Sequence, residues 1–189
     1  MKRHIISASL GLAALGSTAM ADCQGEIDRQ IAAELETISD GMRVFRSVVE
    51  TDRTDEQRAL VEETFALLGD RKRPVNQTDL DILDCALERF SSEDVWDRED
   101  DRDCDLDDER FSIFCALALA SVDVTGGYEH RRTALQEVRY IIAEQAEGRD
   151  YAHRMQDYNN DPRTGFEDAR STMSGARSVV AARLASQCS

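Results

Sequence analysis

The stretch 94–115, DVWDREDDRDCDLDDERFSIFC, sets ten carboxylates and two cysteines between a lone tryptophan and an apolar run. Carboxylates at alternate positions are the donor set of a calcium loop, which also needs glycine at its sixth place and a bidentate glutamate at its twelfth. Counted from Asp101, the oxygens of Asp101, Asp103, Asp105, Asp107 and Glu109 fall at ligand places, but Leu106 stands sixth and Ser112 twelfth. A start at Asp97 puts Arg102 sixth and Asp108 last. What remains is an irregular Ca2+ site over residues 97–109, in the roughly 10⁻⁴–10⁻³ M range of extracellular modules. The same acid offers a landing surface for a basic protein, with Trp96, Asp97, Asp100, Asp101 and Asp103 forming it and the indole as an anchor ringed by charge. A plainer use is as a helix lead-in: Asp105, Asp107, Asp108 and Glu109 complement exposed amides and the helix dipole.

A second cluster lies in residues 149–168. His153 and Asp157 are four apart, so on a helix they are neighbours, and a carboxylate there orients an imidazole as a general base for hydrolysis. No nucleophile stands beside them. Asp157, Asn159 and Asp161 imitate the start of another calcium loop, but Pro162 holds the place that needs positive φ, which excludes it. His130-Arg131-Arg132, after Gly126-Gly127, is the most basic spot of the chain. Its cations oppose the dipole of the helix they precede, so they should reach away toward the acidic loop or hold an anion.

Several chemistries are absent as motifs. There is no Gly-x-Ser-x-Gly elbow, phosphate-cradling glycine loop, His-Glu-x-x-His or Cys-x-x-Cys. A site for a dianionic metabolite needs convergent cations, and past residue 21 the only lysine is Lys72. No such convergence is legible in the spacing.

The elements that must position these residues are helical throughout. From Ile27 the apolar positions Ile31, Leu35, Ile38, Met42, Phe45 and Val49 advance by four and three, one stripe of a long helix that Gly41 should kink. A second helix over 55–68 turns Leu60, Val61, Phe65, Leu67 and Leu68 inward, with Gly69 as its cap. The third begins near Thr78. The fourth, Phe111 to Val124, is apolar on almost every face and belongs at the centre of the core. The fifth covers Thr133 to Glu147, a short segment follows over Tyr151 to Tyr158, and a capping box of Thr164 with Glu167 opens the last. No window alternates with period two. The spacing therefore predicts an all-α bundle of about six mostly antiparallel helices.

The amino terminus reads as an export address. Met1-Lys2-Arg3-His4 leads an apolar stretch from Ile5 to Gly16 and a small-x-small site, Ala19-Met20-Ala21. Cleavage after Ala21 leaves one helical domain over residues 22–189, periplasmic or secreted. It removes Lys2 and Arg3 and no acid, deepening the chain's formal charge of −15. That field opposes nucleic acid and anionic headgroups, and no later stretch has the roughly 18 apolar residues that insertion into a membrane needs. All five cysteines lie past the cut. Loop entropy favours Cys23 with Cys188, at roughly 4–5 kcal/mol for so long a loop. Cys104 with Cys115 is the second pairing and leaves Cys85 over; the rival joins Cys85 to Cys104 or Cys115. The expectation is an exported, acidic, disulfide-stabilised helical protein that binds a basic partner without catalysis. The alternatives are a weak Ca2+-binding structural protein and a hydrolase using His153 and Asp157, and no other cofactor is implied.

Overall fold

The computed structural model describes residues 13–188, so the first twelve residues of the expected export address lie outside the described residues. Among these residues there are seven α-helices and no strand: α1 Ala13–Ser47, α2 Asp55–Gly69, α3 Gln77–Arg89, α4 Ile113–Thr125, α5 Thr133–Gln145, α6 Arg154–Asn160 and α7 Phe166–Gln187. No helix of the described residues is long and apolar enough to cross a membrane.

The core is built by α3, α4, α5 and α7. Helix α4 is its middle, with Ile113, Ala116, Leu117 and Ala120 fully buried, as its all-round apolarity demands. Ile82, Leu83 and Phe90 of α3, Leu135, Val138 and Ile142 of α5, and Met173, Ala176 and Val180 of α7 close around it. The small residues of α7 allow close approach.

Among the described residues the α1–α2 hairpin buries its own apolar set, Ile27, Ile31, Ile38, Val44 and Val61, apart from this cluster, and polar and covalent ties fasten it further. Cys23 is joined to Cys188, Arg73 Nε meets Glu34 at 2.9 Å in a nearly dry ion pair, and Asn76 Nδ2 donates to Asp28 Oδ1 at 2.7 Å. Glu137 of α5 is fully buried and takes Arg71 at 2.5 Å and Arg183 at 3.4 Å. A buried carboxylate survives only when paired in this way.

Several local expectations change. Helix α1 runs unbroken through Gly41, which serves close packing instead of a kink. A Cβ there would stand 1.8 Å from Oγ1 of Thr64 and 3.0 Å from the Leu60 carbonyl of α2. The ~1 kcal/mol of helix propensity that alanine offers cannot offset such a clash. In α2 the buried residues are Val61 and Thr64, whereas Phe65 is 47% exposed and meets Phe45 edge-on outside the core. Asn76, not Thr78, caps α3, in a capping box with Asp79. Asp168, not Thr164 with Glu167, closes the start of α7, its Oδ2 accepting from Gly165 N at 2.9 Å. Helix α4 starts at Ile113 behind a Ser112 cap, so its first turn holds no acid and the 105–109 carboxylates are not its lead-in.

Candidate functional site

The acidic segment is an excursion closed at its neck. Phe111 N donates to Val95 O at 2.7 Å and Asp97 N to Phe111 O at 2.9 Å, a single bridge that brings the two ends together. Cys104–Cys115 pins its far side to α4. Inside, the carboxylates fold the loop: Asp97 accepts from Glu99 N, Asp100 from Arg102 N, Asp101 from Asp103 N and Asp108 from Asp105 N, all at 2.8–3.0 Å. Short acidic side chains stabilise turns in this way. Asp101, Asp103, Asp105, Asp107 and Glu109 do not converge, and among the described residues no three acidic, histidine or cysteine side chains come together as metal ligands.

Two members of the expected landing surface are inside the protein. Trp96 is 4% exposed, and its Nε1 donates to Asn159 Oδ1 at 2.9 Å. Asp100 is 3% exposed and clamped by α6, its carbonyl accepting from Gln156 Nε2 at 2.8 Å and Asn160 Nδ2 at 2.9 Å. The indole is a core anchor because its ring fills the space beside Phe166, and only Asp97, Asp101 and Asp103 keep solvent contact. Burial pushes the Asp100 carboxyl above its usual range.

The His153–Asp157 dyad does not form. Asp157 Oδ2 accepts from the backbone N of His153 at 2.7 Å, capping α6, while the exposed imidazole lies 3.5 Å from an Arg102 guanidinium nitrogen. With the ring turned to Arg102, no hydrogen bond joins it to Asp157 among the described residues.

That arginine leads to the site. Arg102 is the only non-glycine residue with positive φ among the described residues, at 68°, a conformation that costs roughly 1–2 kcal/mol. Its N–H is held by Asp100 Oδ1 at 2.8 Å, and its guanidinium lies over the Phe114 ring at 5.4 Å. So placed, Arg102 borders a pocket of about 280 Å³ together with Arg131, Arg139, Arg154, His130 and His153, and no acidic side chain lines it. None of these four arginines makes an ion pair with a carboxylate among the described residues, in a chain with 38 acids against 23 lysines and arginines.

The electrostatics follow from that absence. Arg139 donates to the His130 carbonyl and to His130 Nδ1, both at 3.2 Å. Burial above all, with repulsion from Arg131 and Arg154, pushes its guanidinium down to about 10. Burial, and then Arg139, Arg131 and Arg102, push His130 down to about 3, so the ring is neutral at ordinary pH. Tyr128 Oη donates to the same Nδ1 at 2.7 Å. Arginine can only donate, so Nδ1 carries the lone pair and the ring proton sits on Nε2, which is a donor. Burial and Arg46 lower Arg131 as well. Arg132, the third residue of the basic triplet, turns away to Asp79 at 3.2 Å and is structural. A second cleft of about 1020 Å³ runs on from the pocket, sharing Arg102, His130 and Arg131, with α1 as its far wall.

The spacing missed Arg102, Arg139 and Arg154. The His130-Arg131 pair behind the diglycine was the one legible signal. Fold and site together define an all-helical, disulfide-bridged protein with a preformed cationic pocket. The chain belongs to the family of unknown function DUF6197, whose model matches residues 74–179, from the start of α3 well into α7. All four pocket arginines fall within that segment, and α1 lies outside it. Comparison with curated proteins and with solved structures gives no match.

Proposed function

We propose that this protein binds a small organic or inorganic anion in the arginine pocket. The observation that carries the reading is the convergence of Arg102, Arg131, Arg139 and Arg154 on one cavity with no carboxylate to neutralise them. Cations gathered and partly desolvated without counter-charge raise the free energy of the empty site, and an entering anion recovers that cost. Guanidinium forks match carboxylate and phosphate oxygens two at a time, which suits either group. Neutral His130 adds an Nε2–H donor without adding charge.

This reading takes the place of a surface for a basic protein partner, because its intended anchor, Trp96, is in the core. The acidic loop then acts by delivering Arg102. Export is part of the proposal: cleavage after Ala21 would leave Cys23 on the chain, free to close its bridge to Cys188 in an oxidising compartment. Residues 22–189 would then act as one unit.

Calorimetric titration of the disulfide-intact protein with inorganic phosphate and with sulfate tests the reading. We expect saturable binding that weakens as salt rises and is lost in Arg131→Gln/Arg139→Gln. Absence of saturable binding at low ionic strength, or an unchanged isotherm in the double variant, would refute it.

A further inference from the structure

The pocket is only one end of a longer depression. It opens, through Arg102, His130 and Arg131, into the cleft between α1 and the 128–131 turn. The two differ in character. The smaller is ringed by guanidinium groups, whereas the larger presents half-buried Leu35 and Met42 from α1 and the partly exposed Tyr128 opposite, with Glu36 and the Arg132-paired Glu129 also in its lining. Beyond this apolar stretch stand two more arginines. Arg43 is occupied by Asp40 at 3.0 Å, but Arg46, on the last turn of α1, has no ion pair with a carboxylate among the described residues.

Arg46 is electrically part of the same site. It is among the charges that lower both Arg131 and His130, so its field reaches the pocket across the cleft. An inorganic anion would occupy the smaller cavity alone and leave Arg46 and the apolar walls unused. Pockets that take organic ligands combine apolar surface with placed polar groups, and Leu35, Ile38, Met42 and Tyr128 supply the apolar part here.

Resting on the anion-binding reading above, we infer that the ligand carries two anionic groups separated by an uncharged body, one held by Arg131 and Arg139, the other by Arg46. The body lies between Leu35 and Met42 on one side and Tyr128 on the other. Two attachments joined in one molecule convert the second contact into an intramolecular one, so affinity rises only when the spacer matches the span.

The test compares alkyl monophosphates with α,ω-alkane bisphosphates over a series of chain lengths, titrated into the disulfide-intact protein. One bisphosphate length should bind on the order of 30-fold tighter than its monophosphate, the gain expected for one added charge-assisted contact. Arg46→Ala should bring the bisphosphate down to the affinity of its monophosphate, the ratio of the two and not the monophosphate affinity itself being the readout. If no length exceeds its monophosphate, or the gain survives Arg46→Ala, the two-headed ligand is refuted while the anion pocket stands. If neither probe series binds, the pocket reading itself falls and this inference with it.

Discussion

Replacing Arg139 by glutamine separates an arginine kept for a ligand from one kept for the fold, because the two roles give opposite signs for stability. A buried arginine paired with a carboxylate, such as Arg73 against Glu34 at 2.9 Å, leaves a stranded charge when removed, at roughly 3–5 kcal/mol. Arg139 has no such partner. Its charged form is disfavoured by the drop from 12.5 to about 10, which at ~1.4 kcal/mol per pKa step is roughly 3 kcal/mol, and about half that once water at the pocket mouth screens it. The substitution recovers this. Against it stand the two hydrogen bonds to His130, worth about 1 kcal/mol each, one of which a glutamine amide can keep. The balance is a protein as stable as the original or about 1 kcal/mol more stable, a rise of roughly 3 °C for a chain of this size.

The same substitution removes a charged donor from the anion. Hydrogen bonds to charged groups contribute about 1.5–3 kcal/mol, so phosphate affinity should fall roughly 10- to 150-fold. Thermal melts near neutral pH without phosphate give the first number, and calorimetry gives the second. Arg73→Gln is the control and should melt well below the parent. A variant at Arg139 that loses several degrees while binding phosphate normally would show that the arginine is structural and that the reasoning is wrong.

Three further outcomes follow from the geometry. Opening the Cys104–Cys115 bridge with serine at both positions should weaken phosphate binding about 10-fold by releasing Arg102, and adding Arg102→Ala should then cost nothing more, a non-additivity that calorimetry on the four variants reads directly. His130 has a folded pKa of about 3 against about 6.5 unfolded, so the unfolded chain takes up the proton first and stability falls on acidification. Between pH 6.5 and 5 the loss attributable to this ring is at most about 2 kcal/mol and about 1 after screening, and denaturant titrations should find it absent in His130→Gln. Asn159→Asp removes the Nδ2 donors to Asp97 O and Asn160 Oδ1 and buries a charge, so it should cost about 3–5 kcal/mol and shift the emission of Trp96, the sole tryptophan, to the red; an unshifted spectrum would mean the indole is not seated on this residue.

The helices were legible because burial writes itself as periodicity. The stripe Leu135, Val138, Ile142 and the unbroken apolarity of α4 each admit one structure, and both are where their spacing puts them. Helix ends were read less well, since Asn76 and Thr78 are both good caps and only tertiary contacts choose between them. Asn76 wins because it also ties α3 to Asp28 of α1. The pocket was hidden for a different reason. In so acidic a chain each of the four pocket arginines has a carboxylate within a few residues: Arg102 follows Asp101, Arg131 and Arg139 stand two from Glu129 and Glu137, and Arg154 three from Asp157. Residues two apart on a helix do not face each other, however, and Glu137 is fully taken by Arg71 and Arg183 on the opposite side of α5. An unpaired cation is defined by which carboxylates are spent elsewhere, and that is a property of the fold.

The same bookkeeping explains how a chain of charge −15 can hold an anion. Much of the acid is committed to turns, caps and ion pairs, and the field of what lies on the surface is screened beyond about 10 Å at ordinary salt. The pocket cations act at a few ångströms, and Arg131 and Arg139 among them are half-buried, where screening is weaker than at the open surface. A small anion inside the cavity therefore meets the arginines at close range and the surface acid only as a distant, attenuated field. A long polyanion would set most of its charge against that acid. The charge of the whole molecule and the charge of its site thus select together: the cavity recruits negative charge, and the surface limits how large its bearer can be.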